Sequence, residues 1–232
     1  MNKYDLIVCT TAVDRTCLHR VVFPSYFSFL KGVKGKWLIN LDRVFNTSVK
    51  ECMEYIKEGA RVHCPGMEIE FFFEDGKPTG TRESFFKAAK NLILKAEKLN
   101  SKYGILWLED DWAMNPNIAG KRLIDILQDI EFDENDYLQL VERSREVSFN
   151  PGVFGLRLFK DRCVKGIQDN TSKYFLFNPE RACCYPHIEV TRSVNKYTVV
   201  PLFYDIGRQW QEDIAVNRTF TVLETEDRIN ER

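Results

Sequence analysis

No apolar run in this 232-residue chain approaches the ~20 residues that a membrane span needs. No CxxC occurs among the seven cysteines, which stand at 9, 17, 52, 64, 163, 183 and 184, and their number is odd. A disulfide framework or a structural zinc knuckle is therefore excluded, and reduced, mostly buried thiols are expected. GxGxxG, GxxxxGK followed by Ser or Thr, and HExxH are all missing, which removes the usual dinucleotide, P-loop and zinc-protease readings. Histidine is scarce, with only His19, His63 and His187. Charge of one sign is lacking too: 33 Lys plus Arg against 34 Asp plus Glu leave a net charge of -1. That balance argues against bulk electrostatic binding to nucleic acid or to an anionic membrane, so neither is expected as a partner. Met1 to Asp5 lead straight into a strand-like run with no secretory signal, which points to a cytoplasmic protein.

What is present is an ordinary globular composition, 44% hydrophobic and 13% aromatic, with 17 Phe for a thick core. Short apolar runs alternate with amphipathic stretches. Leu6 to Cys9 and Trp37 to Leu41 read as strands, and the segment from Cys17 to Leu30 reads as a helix that Pro24 kinks or opens. Ser48 and Glu51 form a capping box, Val49, Cys52, Met53 and Ile56 follow at helical spacing, and Gly59 is expected to close that helix. Arg61 to Cys64 and Glu68 to Phe73 then read as strands, the second at an edge or in a hairpin. From Thr81 to Leu99, Phe85, Ala88, Ala89, Leu92, Ile93, Ala96 and Leu99 share one helical face and lysines the other. This helix feeds Tyr103 to Leu108, a continuous apolar run of the kind found in a central parallel strand covered on both sides. A helix beginning near Pro116, with Leu123, Ile126, Leu127 and Ile130 inward, and a strand from Tyr137 to Val141 follow. The order predicts a three-layer α/β/α fold around a mainly parallel sheet. Without repeats, low-complexity tracts or linkers, residues 1–232 read as one domain. Residues 142–173 look irregular, a last helix opens at Asn178-Pro179-Glu180, and 201–210 reads as a loop.

The chemically informative residues are Glu109-Asp110-Asp111, three acids directly after that apolar strand and before Trp112. Open α/β sheets bind ligands at the carboxyl ends of their strands. Three adjacent carboxylates repel unless a cation compensates. All-oxygen donors select Mg2+ or Mn2+, held through one or two carboxylates plus substrate phosphates. The competing reading is a solvated acidic turn.

Glu109-Asp110-Asp111 after a hydrophobic strand resembles the DxD-type motif of nucleotide-sugar glycosyltransferases of the GT-A fold. Thr10-Thr11-Ala12-Val13-Asp14-Arg15 is similar to their Thr/Ser-rich turn and Arg after the first strand, and Thr81 to Leu99 to the helix leading into the motif. Residues 201–210 resemble the chain end of short virus- and phage-encoded members. The pattern departs from many members in having Glu at position 109.

The resemblance implies a Rossmann-like nucleotide-binding half over about residues 1–112 and an acceptor half over about 113–232. The donor would be a UDP- or GDP-sugar, the cofactor Mn2+ or Mg2+, and the acceptor a hydroxyl of a glycan or glycoconjugate. Asp111 is the expected metal ligand, with Glu109 beside it. Asp110 is expected on the ribose or sugar, and Thr10, Thr11, Asp14 and Arg15 around the nucleoside. Arg82, at the start of the long helix, is a further donor contact. For inversion Glu180 is the expected base, with Glu142 and Glu189 as rivals. His187, seven residues after Glu180, is a candidate metal ligand, although a lone His is more often structural. In the loop 204–210, Asp205 orients Arg208 or touches a sugar hydroxyl, Arg208 meets phosphate, and Trp210 stacks on the acceptor. A bland alternative for that loop is a Gly-containing turn with a surface ion pair. Two other functions compete with transfer: a non-catalytic nucleotide- or carbohydrate-binding module, and a sugar-nucleotide nucleotidyltransferase, whose glycine-rich phosphate loop is missing.

Overall fold

A computed structural model describes residues 4–14, 16–43, 49–73, 82–118, 120–141, 149–169, 192–193 and 202–206, with the backbone alone at 17, 82–84 and 192–193. The first half alternates strand and helix: β1 (Leu6–Val13), α1 (Thr16–Phe29), β2 (Gly35–Asp42), α2 (Val49–His63), β3 (Met67–Phe72), α3 (Arg82–Ala96) and β4 (Ile105–Glu109). Then come β5 (Trp112–Met114), a 3-10 turn (Pro116–Ile118), α4 (Leu123–Asp129), β6 (Tyr137–Gln139) and β7 (Gly152–Phe154). A helix follows as α5 (Leu156–Phe159), a π-helical stretch Lys160–Val164 and α6 (Lys165–Asp169), before β8 (Arg192–Ser193) and β9 (Phe203–Asp205).

Seven strands form one sheet in the order β3-β2-β1-β4-β7-β6-β8. β1 to β4 are parallel, and β7 alone runs against its neighbours β4 and β6. The fold is α/β with a mainly parallel sheet, in agreement with the pattern of the sequence. β1 shows why both faces are covered: Leu6 and Val8 pack toward α1 and α2 with Val22, Phe23, Tyr26, Ile56 and Trp37, while Ile7 and Cys9 pack toward α3 with Ala89, Leu92 and Ile93. Burying Leu92 and Ile93, both fully inaccessible, contributes roughly 1.5–3 kcal/mol each. Among the described residues no helix is long and apolar enough to cross a membrane, and Cys9, Cys52, Cys64 and Cys163 are buried free thiols.

From β1 the chain builds outward through β2 to β3, then returns to place β4 on the other side of β1. The carboxyl ends of β1 and β4 therefore flank the point where strand order reverses, the position at which open α/β sheets form a ligand crevice.

Four expectations need correction. Gly59 does not end α2, and Arg61 to His63 belong to that helix rather than to a strand. A Cβ at Gly59 would lie 2.1 Å from the Phe27 ring, so glycine serves the close approach of α1 and α2 instead of a cap. Pro24 lies inside α1 beyond its first turn, the interior one of the two positions left open for it. Part of the supposedly irregular 142–173 stretch is ordered: β7 pairs with β4 and β6, and Gly155 leads into the helix at Leu156. Residues 203–205 are a strand rather than a loop, paired with β5. The helix expected from Asn178 and the capping residue Ser48 lie outside the described residues.

Candidate functional site

The acidic turn begins where β4 ends, with Glu109 in register with Thr11 of β1. Asp110 continues the alignment by donating its N–H to the Thr11 carbonyl at 3.2 Å. Its side chain folds back across the crevice, and Oδ2 accepts the Val13 N–H at 2.9 Å. The same oxygen lies 3.3 Å from Nε2 of His19. Asp110 is 5% exposed and His19 not at all. Phe23 packs edge-on against the imidazole, with ring centroids 5.0 Å apart. Nδ1 of His19 has no hydrogen-bond partner among the described residues, so the tautomer protonated at Nε2, which donates to Asp110, uses the polar partner at hand.

A second set of bonds holds the ends of the turn. The Tyr26 hydroxyl shares its one proton between the carbonyl oxygens of Glu109 and Trp112, the latter at 2.6 Å. Burial pushes the Tyr26 phenol well above its usual range, and the charges of Asp111, Asp110 and Glu109 push it further. It is thus held as the neutral donor the two carbonyls need. Trp112 returns its indole N–H to Oε2 of Glu109 at 3.1 Å. Ser25, next to Tyr26, accepts the Met114 N–H at 3.2 Å.

β9 lies against the exit of the turn. Trp112 pairs with Asp205, and the Ile206 N–H donates to the Asp111 carbonyl at 2.9 Å. Asp205, distant from the acids in sequence, is thereby brought beside them. Thr11 and Asp14 also border this end of the sheet; both are buried. Thr10 is buried on the α1 side, where its hydroxyl accepts the Trp37 indole N–H at 2.9 Å. Arg82 opens α3, of which only the backbone is described at that position, and Arg15, Glu142, Glu180, His187, Glu189, Arg208 and Trp210 lie outside the described residues.

Two buried polar residues were not anticipated. Asn40 is in register with Thr11, and its Nδ2 donates to Oδ1 of Asp42 at 3.0 Å. The Asp42 carbonyl accepts the Asp14 N–H, and Oδ1 of Asn40 has no partner among the described residues. The signal was available in Ile39-Asn40-Leu41-Asp42, where polar residues alternate into the end of an apolar strand.

Among the described residues no three His, Cys, Asp or Glu side chains converge into a metal cage. A Mg2+ or Mn2+ ion at the acidic turn would be held by one or two carboxylates, with other oxygens completing its shell.

No protein-family model and no curated protein sequence matches the chain. Its structure is similar to that of S. aureus TarS 1-349, with a TM-score of 0.52 and 12% identity over 92% of this chain and 62% of that one. Less similar are the glycosyltransferase GlyE of Streptococcus pneumoniae TIGR4 (TM-score 0.46, 12% identity, 85% of this chain and 47% of that one) and the bifunctional glycosyltransferase WbbM (TM-score 0.38, 7% identity, 69% and 28%). The chain thus spans less than two thirds of each of these structures, and what it shares with TarS is the fold.

Proposed function

We propose that this chain is a metal-dependent glycosyltransferase that moves a sugar from a UDP- or GDP-sugar to a hydroxyl of a glycan or glycoconjugate, with inversion. The observation that carries the reading is the seating of Glu109-Asp110-Asp111 at the reversal point between β1 and β4. The mainly parallel α/β fold, shared with TarS, suits a site of this kind. Residues 1–112 supply the nucleotide half and 113–232 the acceptor half.

A sugar leaves as its bond to the diphosphate breaks, and negative charge grows on the departing oxygens. A bound Mn2+ or Mg2+ supplies the electrostatic stabilisation of that charge. Asp111 is the protein's main ligand for the cation, with Glu109 beside it, braced by the Trp112 indole. Thr11 and Asp14 are the candidates beside the nucleoside, and Asn40 and Asp42 are buried next to them. Asp205, which pairs with Trp112, is the candidate for a sugar hydroxyl or for orienting Arg208. Glu180 takes the acceptor's proton, and Arg15, Arg82, Arg208, Trp210 and His187 are the remaining candidates for donor, acceptor and metal contact.

Incubation with a panel of UDP- and GDP-sugars plus Mn2+ tests this. Metal-dependent release of nucleoside diphosphate is expected with at least one donor. Saturable binding of every tested donor without release, in the presence of glycan acceptors, identifies a binding module instead.

A further inference from the structure

α1 delivers three polar side chains, His19, Ser25 and Tyr26, to one place. His19, Phe23 and Tyr26 recur at helical spacing on a single buried face, and that face points at the acidic turn. Tyr26 reaches the carbonyls at both ends of Glu109–Trp112, His19 reaches the carboxylate in its middle, and Ser25 takes the Met114 N–H just beyond. These bonds leave the turn little freedom to splay as its like charges repel. Asp110 is drawn inward, with Oδ2 engaged by both Val13 and His19, whereas the Asp111 main chain is tied to β9.

We propose that Tyr26 and His19 are positioning residues: Tyr26 clamps the ends of the acidic turn, and His19 holds Asp110 as an internal brace rather than as a sugar contact. The cation-facing work then falls to Asp111. The functional half of this inference rests on the metal and donor reading above; the structural half does not. Neither side chain touches substrate, and both act through the turn. Partners of this indirect kind typically change metal affinity about 10- to 100-fold when removed.

The test uses the full chain with Tyr26→Phe, His19→Leu and His19→Gln, the last retaining an N–H donor. Two readouts are taken: amide hydrogen exchange of the segment 109–114 and of Val13, and Mn2+ uptake in the presence of UDP or GDP. The expected result is faster exchange confined to these amides in Tyr26→Phe and His19→Leu, with Mn2+ affinity about tenfold weaker, and recovery of both in His19→Gln. Exchange indistinguishable from the parent in Tyr26→Phe and His19→Leu overturns the proposal. If Tyr26→Phe does not fold, the contrast between the two His19 variants decides: equal exchange in both overturns the brace. If exchange speeds up as expected but the parent chain itself takes up no Mn2+ with either nucleotide, the clamp stands and the metal reading fails.

Discussion

The Asp110 carboxylate accepts the backbone N–H of Val13, 97 residues earlier in the chain, at 2.9 Å. This one bond joins the two strand ends that border the crevice and shows that at least one of the three acids has work inside the protein. Breaking it leaves a half-buried N–H without its acceptor, a loss of about 1 kcal/mol. Asp110→Ala is therefore expected to lower stability by at least that amount, and urea unfolding measures it. Asp111→Asn, which keeps size and shape, is expected to unfold at nearly the parent's denaturant midpoint.

Close helix contact fixes Gly59. Alanine in a helix interior is favoured over glycine by about 1 kcal/mol, yet a methyl here meets the Phe27 ring at 2.1 Å. Overpacking of this kind costs typically about 1–3 kcal/mol, so the steric term wins and Gly59→Ala is expected to destabilise. Adding Phe27→Leu should recover part of the loss in thermal unfolding. A stabilising Gly59→Ala would show that α1 and α2 have room to separate at this contact.

Trp37 and Thr10 form a buried pair joined by one hydrogen bond of 2.9 Å. Thr10→Val strands the indole N–H and is expected to cost about 1–3 kcal/mol, whereas Trp37→Phe in the Thr10→Val background removes that unsatisfied group. A double-mutant cycle should give a coupling of about 1 kcal/mol. Zero coupling would mean that Trp37 finds another acceptor.

Burial pushes the Cys64 thiol up to about 12. The folded chain therefore keeps this proton at pH values where the unfolded chain, titrating near 9, has lost it. Stability from this group is fully present below pH 9 and is lost as the pH rises from there through about 12. Cys9, wholly buried, is shifted in the same direction. In Cys64→Ala the alkaline fall in unfolding free energy should be shallower than in the parent, and an identical slope would assign the fall to other groups.

How far the sequence carried the fold depended on local pattern. The unbroken apolar run before Glu109 and the lysine-backed face of Arg82–Ala96 identified β4 and α3, because burial on both faces of a strand and on one stripe of a helix leaves distinct periods. α2 ran past its expected end because Gly59 answers to Phe27, which lies elsewhere in the sequence. β7 and β9, three residues each, are too short for any period and exist through their partners. In the site, the acids were legible as charge after an apolar strand. The polar face of α1 was not: His19 and Tyr26 look like ordinary core-facing positions until the turn that they hold is in place.

Titration calorimetry of UDP and GDP with and without Mn2+ tests most directly whether the acidic turn binds a nucleoside diphosphate through a divalent cation. For the parent chain, saturable binding of at least one nucleotide is expected with Mn2+ and much weaker binding without it. Asp111→Asn is expected to reduce the Mn2+ curve to the metal-free one. Equal affinity with and without Mn2+, or an Asp111→Asn chain that binds like its parent, would contradict the account.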